Sequence, residues 1–362
     1  MRIFIRTDSS SKIGSGHLMR CLTLADYLRK QGGPVSFISR ELIGNLCHLA
    51  EQKGFTVHRL PSSSDRSSEL RKNLAHGGWL EVDSQTDAEE TKAILRQCDQ
   101  PIAWLIIDHY ALDHRWETQM RMFAKNIMVI DDIADRHHEC DVLLDQNLYQ
   151  DMDARYDGLV PAYSRKLLGP DYALLRSEFQ VLRRTLKNRD GSVRRILIYF
   201  GGGDPTNETM RALDAVLSLN IPDISIDVIV GEANPHREQI KQVCSIILNT
   251  NYHQQTEKIA ELMVKADLAV GAGGSTTWER CCLGLPSVVY TIAENQVALT
   301  IGAAEAGAVV YLGKSSGVSK KKLAREIQGL INNKERLRAM SHHGIQLVDG
   351  TGVARVVAAL GY

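Results

Sequence analysis

Asp8-Ser9-Ser10-Ser11-Lys12-Ile13-Gly14-Ser15-Gly16-His17-Leu18-Met19-Arg20 is the stretch that decides the fold. The apolar run Ile3-Phe4-Ile5 leads into it, and Leu18, Leu22, Leu24, Ala25 and Leu28 recur at helical spacing after it. The segment therefore reads as a strand-to-helix turn. Open parallel sheets hold ligands at the carboxyl ends of their strands. Gly14 and Gly16 let backbone approach a ligand closely, and a helix start favours an anion. His17 stands beside that start, and histidine takes up a proton near neutral pH, with an unperturbed pKa of ~6.5. One short segment thus offers an anion cradle and a general base.

Working outward, strand-like and helix-like runs alternate along the whole chain, which argues for an α/β protein with parallel sheets. Strands are expected at 2–6, 34–38, 56–60, 103–107, 127–130 and 142–144. A second set is expected at 195–200, 225–230, 246–249, 267–270, 287–290 and 308–311. Helices are expected at 17–30, 41–52, 86–97, 114–124, 207–217, 235–242, 256–264, 275–283, 296–306, 319–332 and 334–342. The two halves read as two Rossmann-type domains facing an interdomain cleft, over 1–182 and 196–345. The polar, arginine-rich stretch 183–195 is the expected linker, and 346–362 is expected to pack back on the first domain. Residues 61–80, with a serine run and Gly77-Gly78, read as a surface excursion.

Composition narrows the function. The 362 residues are 44% hydrophobic and 24% charged, the range of a globular protein of two domains. Lys+Arg and Asp+Glu both number 43, so no cationic footprint for nucleic acid or anionic lipid is expected. No run approaches the ~20 apolar residues of a membrane helix, and no signal peptide is visible. Seven cysteines without a C-x-x-C pair read as reduced thiols in a cytoplasm. Two ordinary domains without net charge fit a monomer.

Further glycine loops follow strands in the second half: Gly201-Gly202-Gly203-Asp204, and Gly271 to Glu279 with Gly274, Ser275, Thr276 and Thr277. Neither has a P-loop lysine, so backbone N–H groups and hydroxyls must hold any phosphate. Glu279 either accepts two sugar hydroxyls or serves the helix dipole. Asp108, His109 and Tyr110 stand at a strand tip; a pocket role is the one reading, a buried Asp satisfying loop N–H groups the other for Asp108. Asp131-Asp132 ends the next strand and resembles a metal or base pair, with Asp131 capping the following turn as the favoured reading. His137, His138, Cys140 and Asp141 imitate a metal cluster, but their spacing matches no closed zinc site, and neither metal nor cofactor is expected. Arg176 faces a phosphate or makes a surface salt bridge. Asn295 caps a helix or reaches the substrate.

These strings, in order, resemble a known family. Asp8-Ser9-Ser10…Ile13-Gly14-x-Gly16-His17-x-x-Arg20, Ile107-Asp108-His109-Tyr110, Asp131-Asp132, Asp171 to Phe179, Gly202-Gly203-Asp204 and Glu294-Asn295-Gln296 look like the UDP-sugar hydrolase of bacterial pseudaminic acid biosynthesis. That family resembles the MurG-type glycosyltransferases of the GT-B fold. The resemblance implies metal-independent hydrolysis of UDP-2,4-diacetamido-2,4,6-trideoxy-β-L-altropyranose to UDP and 2,4-diacetamido-2,4,6-trideoxy-L-altrose. It also implies His17 as catalytic base and Arg176, Glu279 and Asn295 as substrate-binding residues. The expected mechanism is attack of His17-activated water on the anomeric carbon, with inversion. A MurG-like UDP-sugar glycosyltransferase is the alternative; a nucleotide-sugar sensor and an epimerase are further readings.

Overall fold

The computed structural model describes residues 2–62 and 76–362, so 63–75 of the expected excursion lie outside the described residues. The chain forms two compact units. The first comprises Met1–Asn147, Asp151–Leu174 and Val353–Tyr362; the second comprises Leu148–Gln150 and Leu175–Gly352.

In the first unit the elements are β1 (Arg2–Thr7), α1 (Gly16–Lys30), β2 (Val35–Arg40), α2 (Cys47–Gln52), β3 (Thr56–Leu60), α3 (Ser84–Arg96), β4 (Ile102–Asp108), α4 (His114–Met120), β5 (Ala124–Ile130), β6 (Val142–Asp145) and β7 (Arg165–Leu168). They make one seven-stranded sheet in the order β3-β2-β1-β4-β5-β6-β7, with every pairing parallel. β2 and β4 are buried along their whole length, as parallel strands covered on both faces must be. The strand order reverses between β1 and β4. The loop carrying His17 and the tip carrying Asp108 leave the sheet there, at the switch point where such sheets bind ligands.

The second unit contains α5 (Ser177–Arg183), β8 (Arg195–Tyr199), α6 (Glu208–Leu217), β9 (Ser225–Val230), α7 (Arg237–Ile246), β10 (Thr250–Gln254), α8 (Ile259–Lys265), β11 (Leu268–Ala272), α9 (Thr276–Cys282), β12 (Ser287–Thr291), α10 (Val297–Glu305), β13 (Val309–Lys314), α11 (Lys320–Ile331) and α12 (Lys334–Leu347). Its six strands lie in the order β10-β9-β8-β11-β12-β13, again all parallel. Here the switch point falls between β8 and β11, so the two glycine loops that follow those strands emerge side by side.

The last helix, α13 (Gly352–Ala359), places Val353, Val356, Val357 and Leu360 in the same apolar core as Ile3, Leu24 and Phe37 of the first unit. Each such buried side chain contributes roughly 1.5–3 kcal/mol. The indole Nε1 of Trp104 donates to the carbonyl of Leu360 at 3.1 Å, fixing the helix end.

Four expectations need correction. The strand expected at 246–249 is the end of α7 and a turn: Ile246 and Leu248 are 84% and 86% exposed, and the polar residues Thr250–Gln254 form the edge strand instead. The helix expected over 41–52 begins only at Cys47, because Gly44 adopts a left-handed φ of 76°. The unit boundary falls at 174/175, not over 183–195. That stretch is bound into the second unit: Arg183 donates to the carbonyls of Cys282 and Ile345 at 2.7 Å each, and Arg189 to those of Met263, Ala266 and Leu283. At the other end, α12 runs to Leu347, and the return to the first unit starts at Val353 rather than 346. Among the described residues no helix is long and apolar enough to cross a membrane.

Candidate active site

The turn after β1 is built by its serines. Ser10 Oγ accepts the backbone N–H groups of Lys12 and Ile13 at 3.2 and 3.0 Å, and Gly14 N–H returns to the Ser10 carbonyl at 2.8 Å. Gly14 closes the turn at φ 81°, a conformation that favours glycine. Ser9 Oγ accepts Leu46 N–H at 2.9 Å. Asp8 serves the scaffold: it takes Arg6 at 2.5 and 3.0 Å and the backbone N–H of Arg40 at 2.7 Å. Gly16 is the first residue of α1, and Ser15 makes no side-chain cap on that helix. The first N–H groups of α1 therefore lack the capping partner that helices usually recruit.

His17, one residue into α1, is 7% exposed. Its Nδ1 lies 2.6 Å from Asp108 Oδ1. Asp108 is fully buried and also receives Arg20 as a fork, Nε to Oδ2 and Nη2 to Oδ1, both at 2.6 Å. Burial alone would raise the Asp108 carboxyl, but Arg20 and then His17 hold it well below the ordinary carboxylate range. Asp108 is thus a permanent anion. It draws the ring hydrogen to Nδ1 and leaves Nε2 as the nitrogen that can accept a proton. Arg20 Nη2 lies 3.3 Å from the same Nδ1; two donors cannot bond each other, and the shorter contact with Asp108 takes the hydrogen.

Tyr110 packs edge-on against the His17 ring at 4.6 Å between centroids, and its hydroxyl donates to Asp132. Arg20 Nη1 also reaches Asp132, at 2.9 Å. Trp79 meets His17 edge-on at 5.8 Å. His17, Asp108 and Tyr110, which the sequence singles out, therefore come together at the carboxyl ends of β1 and β4, and Gly14 and Gly16 shape the turn beneath them. Arg20, Asp132 and Trp79 complete the group. Arg20 was legible as a neighbour, since residues i and i+3 share a helix face.

Other polar residues of the first unit serve structure. Asp131 caps its turn through Ala134 N–H at 2.9 Å. His138 Nδ1 binds Glu117 at 2.8 Å, and Asp141 takes Arg121 and Ile127 N–H. Tyr156 Oη lies 3.0 Å from both Asp131 Oδ2 and Asp145 Oδ2. One hydroxyl hydrogen cannot serve two carboxylates. Burial, and then Asp132, push the Asp145 carboxyl up to about 8, so Asp145 carries the second proton.

In the second unit, Arg176 precedes α5 and Glu279 lies on α9; Arg176 Nη2 is 3.6 Å from Glu279 Oε1. Burial pushes the Glu279 carboxyl up, and Arg176 draws it back only in part. Arg176 thus makes an ion pair with a candidate site residue as well as with Glu178, at 3.0 Å. Gly274 leads into Ser275 and Thr276 with φ 114°. Asn295 does not cap a helix: it is exposed within the short 3-10 turn Glu294–Gln296, and Gln296 is the cap position of α10. Gln296 Oε1 accepts Ile292 N–H at 3.0 Å, and its side chain lies beside Gly274. A glutamine next to a polar asparagine carries no local signal of which one turns inward, so Gln296 has no role in the sequence reading.

Residues 196–350 match the glycosyltransferase family 28 C-terminal domain. The chain is 28% identical over 297 residues to the UDP-2,4-diacetamido-2,4,6-trideoxy-beta-L-altropyranose hydrolase of Campylobacter jejuni, covering 82% of this chain and 93% of that protein. It is also 32% identical over 216 residues to the spore coat polysaccharide biosynthesis protein SpsG of Bacillus subtilis, covering 59% of this chain; the match spans only 62% of SpsG's length. Among solved structures, MurG of Acinetobacter baumannii superposes with a TM-score of 0.65 at 14% identity, covering 99% of this chain and 98% of that one. The fold is therefore that of the GT-B proteins, two Rossmann-type units in one chain.

Proposed function

We propose that this protein hydrolyses a UDP-sugar, UDP-2,4-diacetamido-2,4,6-trideoxy-β-L-altropyranose, to UDP and 2,4-diacetamido-2,4,6-trideoxy-L-altrose. The observation that carries the proposal is the His17–Asp108 contact of 2.6 Å at the strand switch point, with Asp108 kept ionised by Arg20. Relationship to the Campylobacter hydrolase supplies the substrate.

In the proposed step, His17 Nε2 takes a proton from water as the water oxygen bonds the anomeric carbon. The bond from that carbon to the diphosphate oxygen breaks on the opposite face, UDP departs with the electron pair, and the configuration inverts. UDP is a weakly basic leaving group, so the demanding part is the nucleophile. Positioned acid–base catalysis contributes about 100- to 10,000-fold, and the anion Asp108 stabilises the imidazolium that forms, as in other His–Asp pairs. Glu279 is assigned to the ribose hydroxyls, Arg176 to its ion pair and the nucleotide, and Gly274, Ser275, Thr276 and Asn295 to the sugar diphosphate. Tyr110 walls the His17 ring on one side.

Product analysis by NMR after incubating purified protein with the UDP-sugar alone tests this reading. Free sugar equal in amount to UDP is expected. No turnover until an acceptor is added would favour a glycosyltransferase instead.

A further inference from the structure

Arg280 of α9 is 2% exposed yet makes no ion pair among the described residues. Its Nη2 donates to the Ala272 carbonyl at 2.9 Å and to Thr277 Oγ1 at 3.1 Å, its Nη1 to Thr276 Oγ1 at 3.3 Å, and its buried Nε has no partner. Burial pulls the guanidinium down to about 10, still fully charged at neutral pH. The other buried cations differ. Arg6, Arg20, Arg40, Lys92 and Arg136 each bind carboxylates. The partly buried Arg183 and Arg189 cap chain carbonyls that include the C-terminal end of α9, where a cation is favoured. Arg280 instead reaches back to the N-terminal end of α9, the positive pole, where a cation is disfavoured. A buried charge so placed is costly unless an anion compensates it.

We infer that Arg280 is a positioning residue that turns the loop Gly271–Thr276 into a diphosphate site. The inference rests on the assignment of that loop to the substrate diphosphate. Arg280 acts in two ways. Its uncompensated charge lies directly behind the loop. Its N–H groups also donate to the Thr276 and Thr277 hydroxyls, so each hydroxyl must point its own hydrogen away from Arg280. Thr277 is buried, whereas Thr276 is partly exposed and can donate outward to a phosphate oxygen. The close neighbours fix this arrangement: a Cβ at Gly271 would lie 2.3 Å from the Tyr199 carbonyl, and one at Gly273 would lie 2.2 Å from Thr300 Oγ1.

The test is calorimetric binding of inorganic pyrophosphate, UDP and uridine to the full-length protein, Arg280→Met and Thr276→Val. Methionine fills the buried volume without charge; Thr276→Val removes one hydroxyl and leaves the buried cation. Arg280→Met is expected to weaken pyrophosphate and UDP by roughly tenfold or more, while uridine, which has no phosphate, changes less than about twofold. Thr276→Val is expected to weaken the same two ligands by a smaller factor and keeps the inference testable if Arg280→Met fails to fold. Equal weakening of uridine would mean a merely structural arginine and would overturn the inference, as would pyrophosphate binding that is unchanged in both variants or absent from the wild type. Arg280-dependent pyrophosphate binding without turnover of the UDP-sugar would uphold the inference and sink the proposed reaction instead.

Discussion

Replacing Asp108 by Asn tests the base most sharply. In the wild type, Asp108 Oδ1 takes His17 Nδ1 and Arg20 Nη2, and Oδ2 takes Arg20 Nε, all at 2.6 Å. An amide offers one oxygen where three N–H donors and the Cys21 thiol converge. If the oxygen keeps Arg20 Nε, the NH2 faces His17, and the ring must accept at Nδ1 and carry its hydrogen on Nε2. That tautomer cannot take a proton from water. If the oxygen keeps His17, the NH2 meets Arg20 Nε, and the buried guanidinium keeps only Asp132 of its two charged partners. Either outcome removes the anion that stabilises the imidazolium. The expected loss in kcat is about 100- to 10,000-fold, or ~2.7–5.5 kcal/mol in the barrier, with little change in UDP affinity. Breaking a buried ion pair also costs about 3–5 kcal/mol of stability, so UDP release is to be followed well below the melting temperature, on protein shown by circular dichroism to be folded. The double variant with His17→Ala should be no slower than His17→Ala alone, because the two residues act as one device. An Asp108→Asn protein that turns over at the wild-type rate, or two losses that multiply, would refute the reasoning.

Three further outcomes follow from the same geometry. His17→Ala should bind UDP as the wild type does and lose most turnover, read by calorimetry beside a rate assay; unchanged turnover would remove the base. Asp145 has its folded pKa raised to about 8 against ~3.9 unfolded, so its contribution is complete below pH ~4 and is lost as pH climbs through 8. Asp145→Asn has no proton to lose; its melting temperature should match the wild type at low pH and exceed it increasingly up to pH 8, and a constant gap across pH would contradict the shared-proton arrangement with Tyr156 and Asp131. Gly302→Ala would put a Cβ 2.2 Å from the Leu148 carbonyl, an overpacking worth about 1–3 kcal/mol, or ~2–4 °C in melting temperature for each kcal/mol in a unit of this size; a variant as stable as the wild type would show that residues 148–150 shift without cost.

Much of this was legible in the chain because it is local. Apolar runs such as Ile3–Ile5 mark buried parallel strands, and their alternation with helices gives the fold class. The candidate base was legible because glycine, serine and histidine crowd one strand-to-helix turn. What escaped depends on distant pairing. Arg165–Leu168 is a strand only because β6 offers it an edge. Thr250–Gln254 is a strand because β9 pairs with it, whereas the more apolar 246–249 has nothing to cover it. The arginines of 183–195 look like a solvated linker until the carbonyls they cap are known. Asp108 stood open as pocket residue or buried structural acid; the geometry joins the two readings, because a buried carboxylate is what orients His17. Asp132 stood out only as half of an acidic pair at a strand end, and Arg280 gave no signal, since their roles depend on partners far off in sequence or on partners they lack.

The measurement that bears most directly on the central claim is hydrolysis in water enriched with oxygen-18, with sugar and UDP weighed by mass spectrometry before the free sugar exchanges. One heavy oxygen is expected on the anomeric hydroxyl and none in UDP. Label in the terminal phosphate of UDP would place the attack at phosphorus and contradict the role given to His17.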